Sequence, residues 1–117
     1  MAERSVIGEK SLAFAKRVAR CYVYLKKKGE IVMSKQLLRC GTSIGANVRE
    51  GQYAQSKKDF VSKMNIALKE AGETDYWLDV IHSAGFFSDE EYASLDADNK
   101  ELLRMLAAIV KTSKEKE

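Results

Sequence analysis

The chain has 117 residues, 45% of them apolar and 32% charged, with a formal net charge of +3. That length can bury one modest core, and that balance excludes a disordered tail and a membrane protein. Proline is absent and no apolar run approaches the length of a membrane span, so the composition favours an all-α domain of uninterrupted helices.

The opening residues MAERSVIGEK carry no apolar signal core. Cys21 and Cys40 are too few for a disulfide framework and lack metal-knuckle spacing. A cytoplasmic protein with reduced thiols and no membrane association is expected. The charge is unevenly placed. Residues 1–28 carry eight Lys/Arg against Glu3 and Glu9, whereas residues 88–104 carry six acids against Lys100 and Arg104. The first element is therefore basic and the last acidic.

The first helix is predicted over roughly residues 6–28. Ile7, Phe14, Ala15, Val18, Cys21, Tyr22 and Leu25 share one arc at 100° per residue. Lys10, Lys16, Arg17, Arg20, Lys27 and Lys28 lie on the opposite arc with Tyr24 among them, and Gly29 supplies the C′ residue. The second helix is predicted over 35–54. Ser34 would be its N-cap, and Met33 with Leu38 its hydrophobic staple. Leu37, Gly41, Ile44 and Val48 form its packing face.

The third helix is predicted over 57–84, with Ser56 as N-cap, Asp59 at the capping-box position and a stop at Gly85. Phe60, Met64, Ala67, Ala71, Leu78 and Ile81 make its core stripe. The fourth, 89–112, has the clearest start: Ser88 caps, Glu91 completes the box, and Phe87 and Tyr92 are placed as the staple. Its stripe is Tyr92, Leu95, Leu102, Leu103, Leu106, Ile109 and Val110, and the tail KTSKEKE is expected to fray. Four amphipathic helices with short connections predict one domain, an antiparallel up-down four-helix bundle.

Glycine costs a helix interior about 1 kcal/mol relative to alanine, yet GTSIG sits inside the second helix. Gly41 lies between Leu37 and Ile44, with Gly45 beside it. Such a pair lets a neighbouring helix approach closely and recover dispersion contact. A phosphate-binding loop does not fit, because no strand precedes these glycines and the Lys-Ser/Thr ending is missing.

Polar residues remain on two faces. The second helix presents Arg39, Ser43, Asn47 and Glu50, and the third presents Ile66, Glu70, Glu73 and Trp77. Arg39 is placed to pair with Glu50, Glu70 or Glu73, within a chain or between chains. The second face of the third helix suits a neighbouring subunit. No cofactor or metal is expected. Di-iron bundles need two Glu-x-x-His pairs, and His82, with Asp79 three residues before it, is the sole histidine. No nucleophile elbow or triad is recognisable, so no enzyme is read. The basic arc of the first helix is the strongest sign of a ligand. Lys10, Lys16, Arg17, Arg20, Lys27 and Lys28 would attract phosphates, and Tyr24 would stack on a base.

The run KSLAFAKRV, then SKQLLRCGTSIGANVREG, then SKKDFVSKMNIALKEAGETDYWLDVI resembles the four-helix-bundle family of 23S rRNA intervening-sequence proteins. The resemblance extends from about Lys10 to Leu106. It is sharpest at Arg39, Ser43, Ile44, Gly45, Ala46, Asn47 and Glu50, and at Lys69, Glu70, Ala71, Glu73, Thr74 and Trp77. Cys40 and Gln52 depart from the small residues usual at their positions. The resemblance implies an antiparallel bundle assembling into a homopentameric ring. It also points to a related branch, the accessory proteins of diversity-generating retroelements, which bind a reverse transcriptase and nucleic acid. It places Arg39, Asn47, Glu50, Glu70 and Glu73 as a polar constellation. Two roles follow as expectations: a non-enzymatic homo-oligomer binding RNA or DNA through the basic arc, or a protein-interaction scaffold docking onto a partner such as a polymerase.

Overall fold

Each helix begins where a local group satisfies its backbone. In the computed structural model, which describes residues 5–115, α1 spans Val6–Lys27, α2 Val32–Gln52, α3 Lys57–Ser83 and α4 Asp89–Glu115. No strand occurs among the described residues. No helix there is long and apolar enough to cross a membrane. The Ser5 hydroxyl accepts the Gly8 N–H, and Gly29 and Gly85 end α1 and α3 at a φ of 89° that a side chain would disfavour. The box at α4 closes both ways: the Glu91 N–H donates to Ser88 Oγ at 3.0 Å and the Ser88 N–H to Glu91 Oε1 at 2.8 Å. At α3, Ser56 Oγ accepts the Asp59 N–H as predicted, but the Asp59 carboxylate reaches back to the Gln55 N–H rather than to Ser56.

Two boundaries differ from the sequence reading. Helix α2 starts at Val32, so Ser34 is not its N-cap but a buried residue of the first turn, and the staple drawn around it falls with that cap. The cap comes from Glu30. Its buried carboxylate accepts the Ser34 N–H at 2.8 Å, and its carbonyl accepts the Ser34 hydroxyl at 3.0 Å. A carboxylate there also answers the positive end of the helix. Helix α4 continues through Lys111–Lys114 to Glu115, beyond the predicted end at 112, so the tail is helical up to that residue. The last part of that tail, 116–117, lies outside the described residues.

Cross-helix contacts fix the direction of every neighbouring pair. Going up α1, residues 10, 17 and 28 meet residues 101, 98 and 86, in descending order on the α3–α4 side. Arg39 and Glu50 of α2 meet Glu73 and Lys63 of α3, and Ala71 and His82 of α3 meet Asn99 and Asp89 of α4. All these pairs run antiparallel. The result is a rod of 46 × 21 × 21 Å with α1 on α2, α2 on α3, α3 on α4 and a thinner seam between α1 and α4. Val18, Leu25, Leu37, Ile44, Leu78, Ile81, Leu102 and Leu106 fill its axis.

The two glycines of α2 sit against α1. A Cβ on Gly41 would lie 2.9 Å from both Val18 methyl carbons, and one on Gly45 would lie 3.1 Å from the Ser11 carbonyl oxygen. The helices thus touch backbone to backbone at Gly45, which recovers the close packing that offsets the propensity cost. The core also holds three polar side chains at mid-height. Cys40, Thr74 and Asn99 are fully buried. The Thr74 hydroxyl donates to the Glu70 carbonyl, and Asn99 Nδ2 donates to the Ala71 carbonyl at 3.0 Å. Asn99 Oδ1 has no partner.

Candidate nucleic-acid interface

The basic arc of α1 divides in two once α4 lies beside it. Arg17 reaches across the seam, with Nη1 2.7 Å from Asp98 Oδ2 and Nη2 2.7 Å from Ser94 Oγ. Lys10 pairs with Glu101 at 3.1 Å. Lys28 lies 4.5 Å from the Tyr24 ring centre and donates weakly to the Phe86 carbonyl at 3.4 Å. Lys10 and Arg17 of the predicted interface thus bridge the thin α1–α4 seam, Lys28 reaches the turn before α4, and one face of Tyr24 is covered by Lys28. Lys16, Arg20 and Lys27 point outward and form no ion pair among the described residues. Lys26 joins them as a fourth exposed cation on α1; its place in the sequence triplet KKK was the signal that could have added it to the arc.

The polar constellation is also split. Arg39 bridges α2 to α3 by pairing with Glu70 at 3.3 Å and with Glu73, and the Trp77 indole N–H donates to Glu73 at 3.2 Å. Glu50 does not join them. It pairs with Lys63 at 3.0 Å, because it lies three turns further along α2 than Arg39. Asn47 and Ser43 bond only within α2, where Asn47 Nδ2 donates to the Ser43 carbonyl and hydroxyl. The Arg39 guanidinium is half exposed, so this cluster lies at the surface of the α2–α3 seam rather than in the core.

Hydrogen bonding to Arg39 holds the Glu73 carboxyl below the usual carboxylate range, and the Ser88 N–H does the same for Glu91. Both values are depressed in the fold relative to the unfolded chain. Their contribution is complete above the ordinary carboxylate range and fades as pH falls through the folded-state values. Denaturant midpoints followed from neutral pH to about pH 2.5 should therefore drop on acidification, less steeply in Glu91→Gln. Equal acid slopes in the two proteins would refute the role given to Glu91.

The remaining chemistry is sparse. Among the described residues no three His, Cys, Asp or Glu side chains converge as a metal site. His82 stacks on Tyr92 with ring centres 4.2 Å apart and places Nε2 2.7 Å from Asp89, while the Tyr92 hydroxyl donates to Asp79. Burial pushes both cysteine thiols up, so neither is a ready nucleophile near neutral pH. An open groove of about 490 Å³ runs between α1 and α2, lined by Leu12, Ala15, Gly45, Ala46 and Arg49 among others.

Comparison with known proteins finds a family model and solved structures that match. The family model described as 23S rRNA-intervening sequence protein matches residues 3–108. A solved structure from Bacteroides thetaiotaomicron, a protein of unknown function from the S23 ribosomal protein family, is similar at 48% identity and a TM-score of 0.88. That match covers 91% of this chain and 99% of the other. No curated protein matches the chain.

Proposed function

The chain belongs to the family of 23S rRNA-intervening sequence proteins, and on that premise we propose that it is a non-enzymatic, homo-oligomeric bundle that binds RNA or DNA through the outer face of α1. The observation that supports this is the row Lys16, Arg20 and Lys27. These side chains are exposed and unpaired among the described residues, and Lys16 to Lys27 covers about 16 Å of helix axis. Such a row would follow a phosphate backbone without reading bases, so binding is weakly sequence-specific and salt-dependent. The two free thiols agree with a cytoplasmic location.

Reversing the three charges, Lys16→Glu, Arg20→Glu and Lys27→Glu, should weaken RNA binding at least ten-fold and lower the slope of log affinity against log salt by about 2. Thermal stability should hardly change, because none of the three supports the fold. Unchanged affinity and slope in a folded triple variant would end this reading.

Oligomer formation is supported by a second set of residues. Ile66 and Tyr76 are exposed on the side of α3 that carries Glu73, and Trp77 beside them is only half-buried. This face suits a neighbouring copy, and a ring of five follows from the family resemblance. Sedimentation at micromolar concentration should give a species well above the 13.1 kDa of one chain. A scaffold role, with the bundle docking onto a polymerase-like protein, is favoured instead by Val23 and by Val32 at 71% exposure, apolar side chains that a phosphate backbone does not use. That reading predicts negligible RNA retention and co-purification of one protein.

A further inference from the structure

Among the described residues, the most exposed large apolar side chain is Tyr53, at 82%. It stands at the α2–α3 turn in the string REGQYAQSKKD, and its backbone N–H closes α2 by donating to the Glu50 carbonyl at 3.1 Å. The ring takes no part in the core. Nothing in the folding of the turn needs an aromatic group there, since the cap uses only the backbone.

Its surroundings are cationic. Arg49 lies one helical turn before it on the same side of α2, and Lys57 and Lys58 open α3 just beyond the turn. All three are exposed and form no ion pair among the described residues. The two carboxylates of this corner are engaged elsewhere, Glu50 with Lys63 and Asp59 with the Gln55 N–H. The other partly exposed tyrosines lack this setting. Tyr24 is 39% exposed with Lys28 over its ring. Tyr76 is 58% exposed but sets its edge against Trp77, with Glu73, Asp75 and Asp79 along the same stretch of helix. Tyr92 is stacked on His82. Tyr22 is half-buried on α1. Among the exposed tyrosines, Tyr24, Tyr53 and Tyr76, only Tyr53 combines an open ring face with unpaired positive charge.

A solvent-facing aromatic ring flanked by cations is what an unpaired base and its phosphates use: the ring takes the base face and the cations take the backbone. A duplex offers no base face, so it gains nothing from the ring. We propose that the α2–α3 corner is a second nucleic-acid site, specific for single strands, in which Tyr53 stacks on one base and Arg49, Lys57 and Lys58 hold the flanking phosphates. This rests on the nucleic-acid reading above but not on the α1 row, which lies on a different helix. The two sites divide the work: α1 follows the backbone of any nucleic acid, and the corner selects strands whose bases are free.

The test uses fluorescence anisotropy with a labelled ten-nucleotide single-stranded RNA and a duplex of the same sequence, on the full chain. Tyr53→Ala should weaken single-strand binding about ten-fold and leave duplex binding unchanged, whereas Tyr53→Phe, which keeps the ring, should behave as wild type. A 5-iodouridine version of the single strand should photocrosslink to Tyr53. Equal single-strand affinity in wild type and Tyr53→Ala overturns the corner site while the α1 reading stands. So does a Tyr53→Ala variant whose sedimentation changes and whose RNA affinity does not, since the ring then belongs to a protein interface. If wild type retains neither RNA, both readings fall together.

Discussion

Gly45→Leu should lower the unfolding free energy by about 2–3 kcal/mol, although leucine is the better helix former. The propensity gain is under about 1 kcal/mol, and it is opposed by a contact that cannot yield. The first added carbon already lies 3.1 Å from the Ser11 carbonyl oxygen and 3.3 Å from its carbon, both backbone atoms of α1. The rest of the side chain must push the two helices apart and open the Val18–Gly41 contact next to it. A chain of this length is stabilised by roughly 6–15 kcal/mol, so the loss is a large fraction. Urea denaturation measures it. A variant as stable as wild type would mean that the close approach contributes nothing.

Ile44→Ala should cost a comparable or larger amount, about 2–4 kcal/mol, by the opposite route. Ile44 is fully buried beside Gly45, and removing three carbons leaves a void that the tightly packed α1–α2 contact cannot close. The fall in thermal midpoint should be on the order of 10 °C. Leu12→Ala, at the mouth of the open α1–α2 groove with 38% exposure, is the control and should change stability by less than about 1 kcal/mol. Equal effects at the two positions would contradict the burial assigned to Ile44.

What could be read from sequence follows the range over which each feature is encoded. The start of α4 was legible in full because Ser88 and Glu91 satisfy each other within four residues. The Gly41–Gly45 patch was legible as a packing device, since a glycine pair on an apolar face has few other uses, although which helix it receives needed the fold. The start of α2 was misread because Glu30 looks like a surface acid. Only the tertiary structure buries it beneath the helix, where its carboxylate replaces the expected serine cap. The basic arc was legible as a row but not as a site. Which of its cations are free depends on Asp98 and Glu101, which lie more than eighty residues away in the chain. Tyr53 carries no signal in the sequence, because a turn has no periodicity to stand out from.

Asn99 carries a consequence for how the molecule meets a ligand. Sliding α4 by one turn along α3 would carry its Nδ2 away from the Ala71 carbonyl, leaving the amide nitrogen as bare as its oxygen, a loss of about 1–3 kcal/mol. One alignment is therefore strongly preferred, and the outward groups keep the spacing that this alignment sets. The surface acts as a stiff template. If the proposed binding holds, a flexible strand would adapt to it and bear the ordering entropy of the encounter, while the protein contributes a shape prepared in advance.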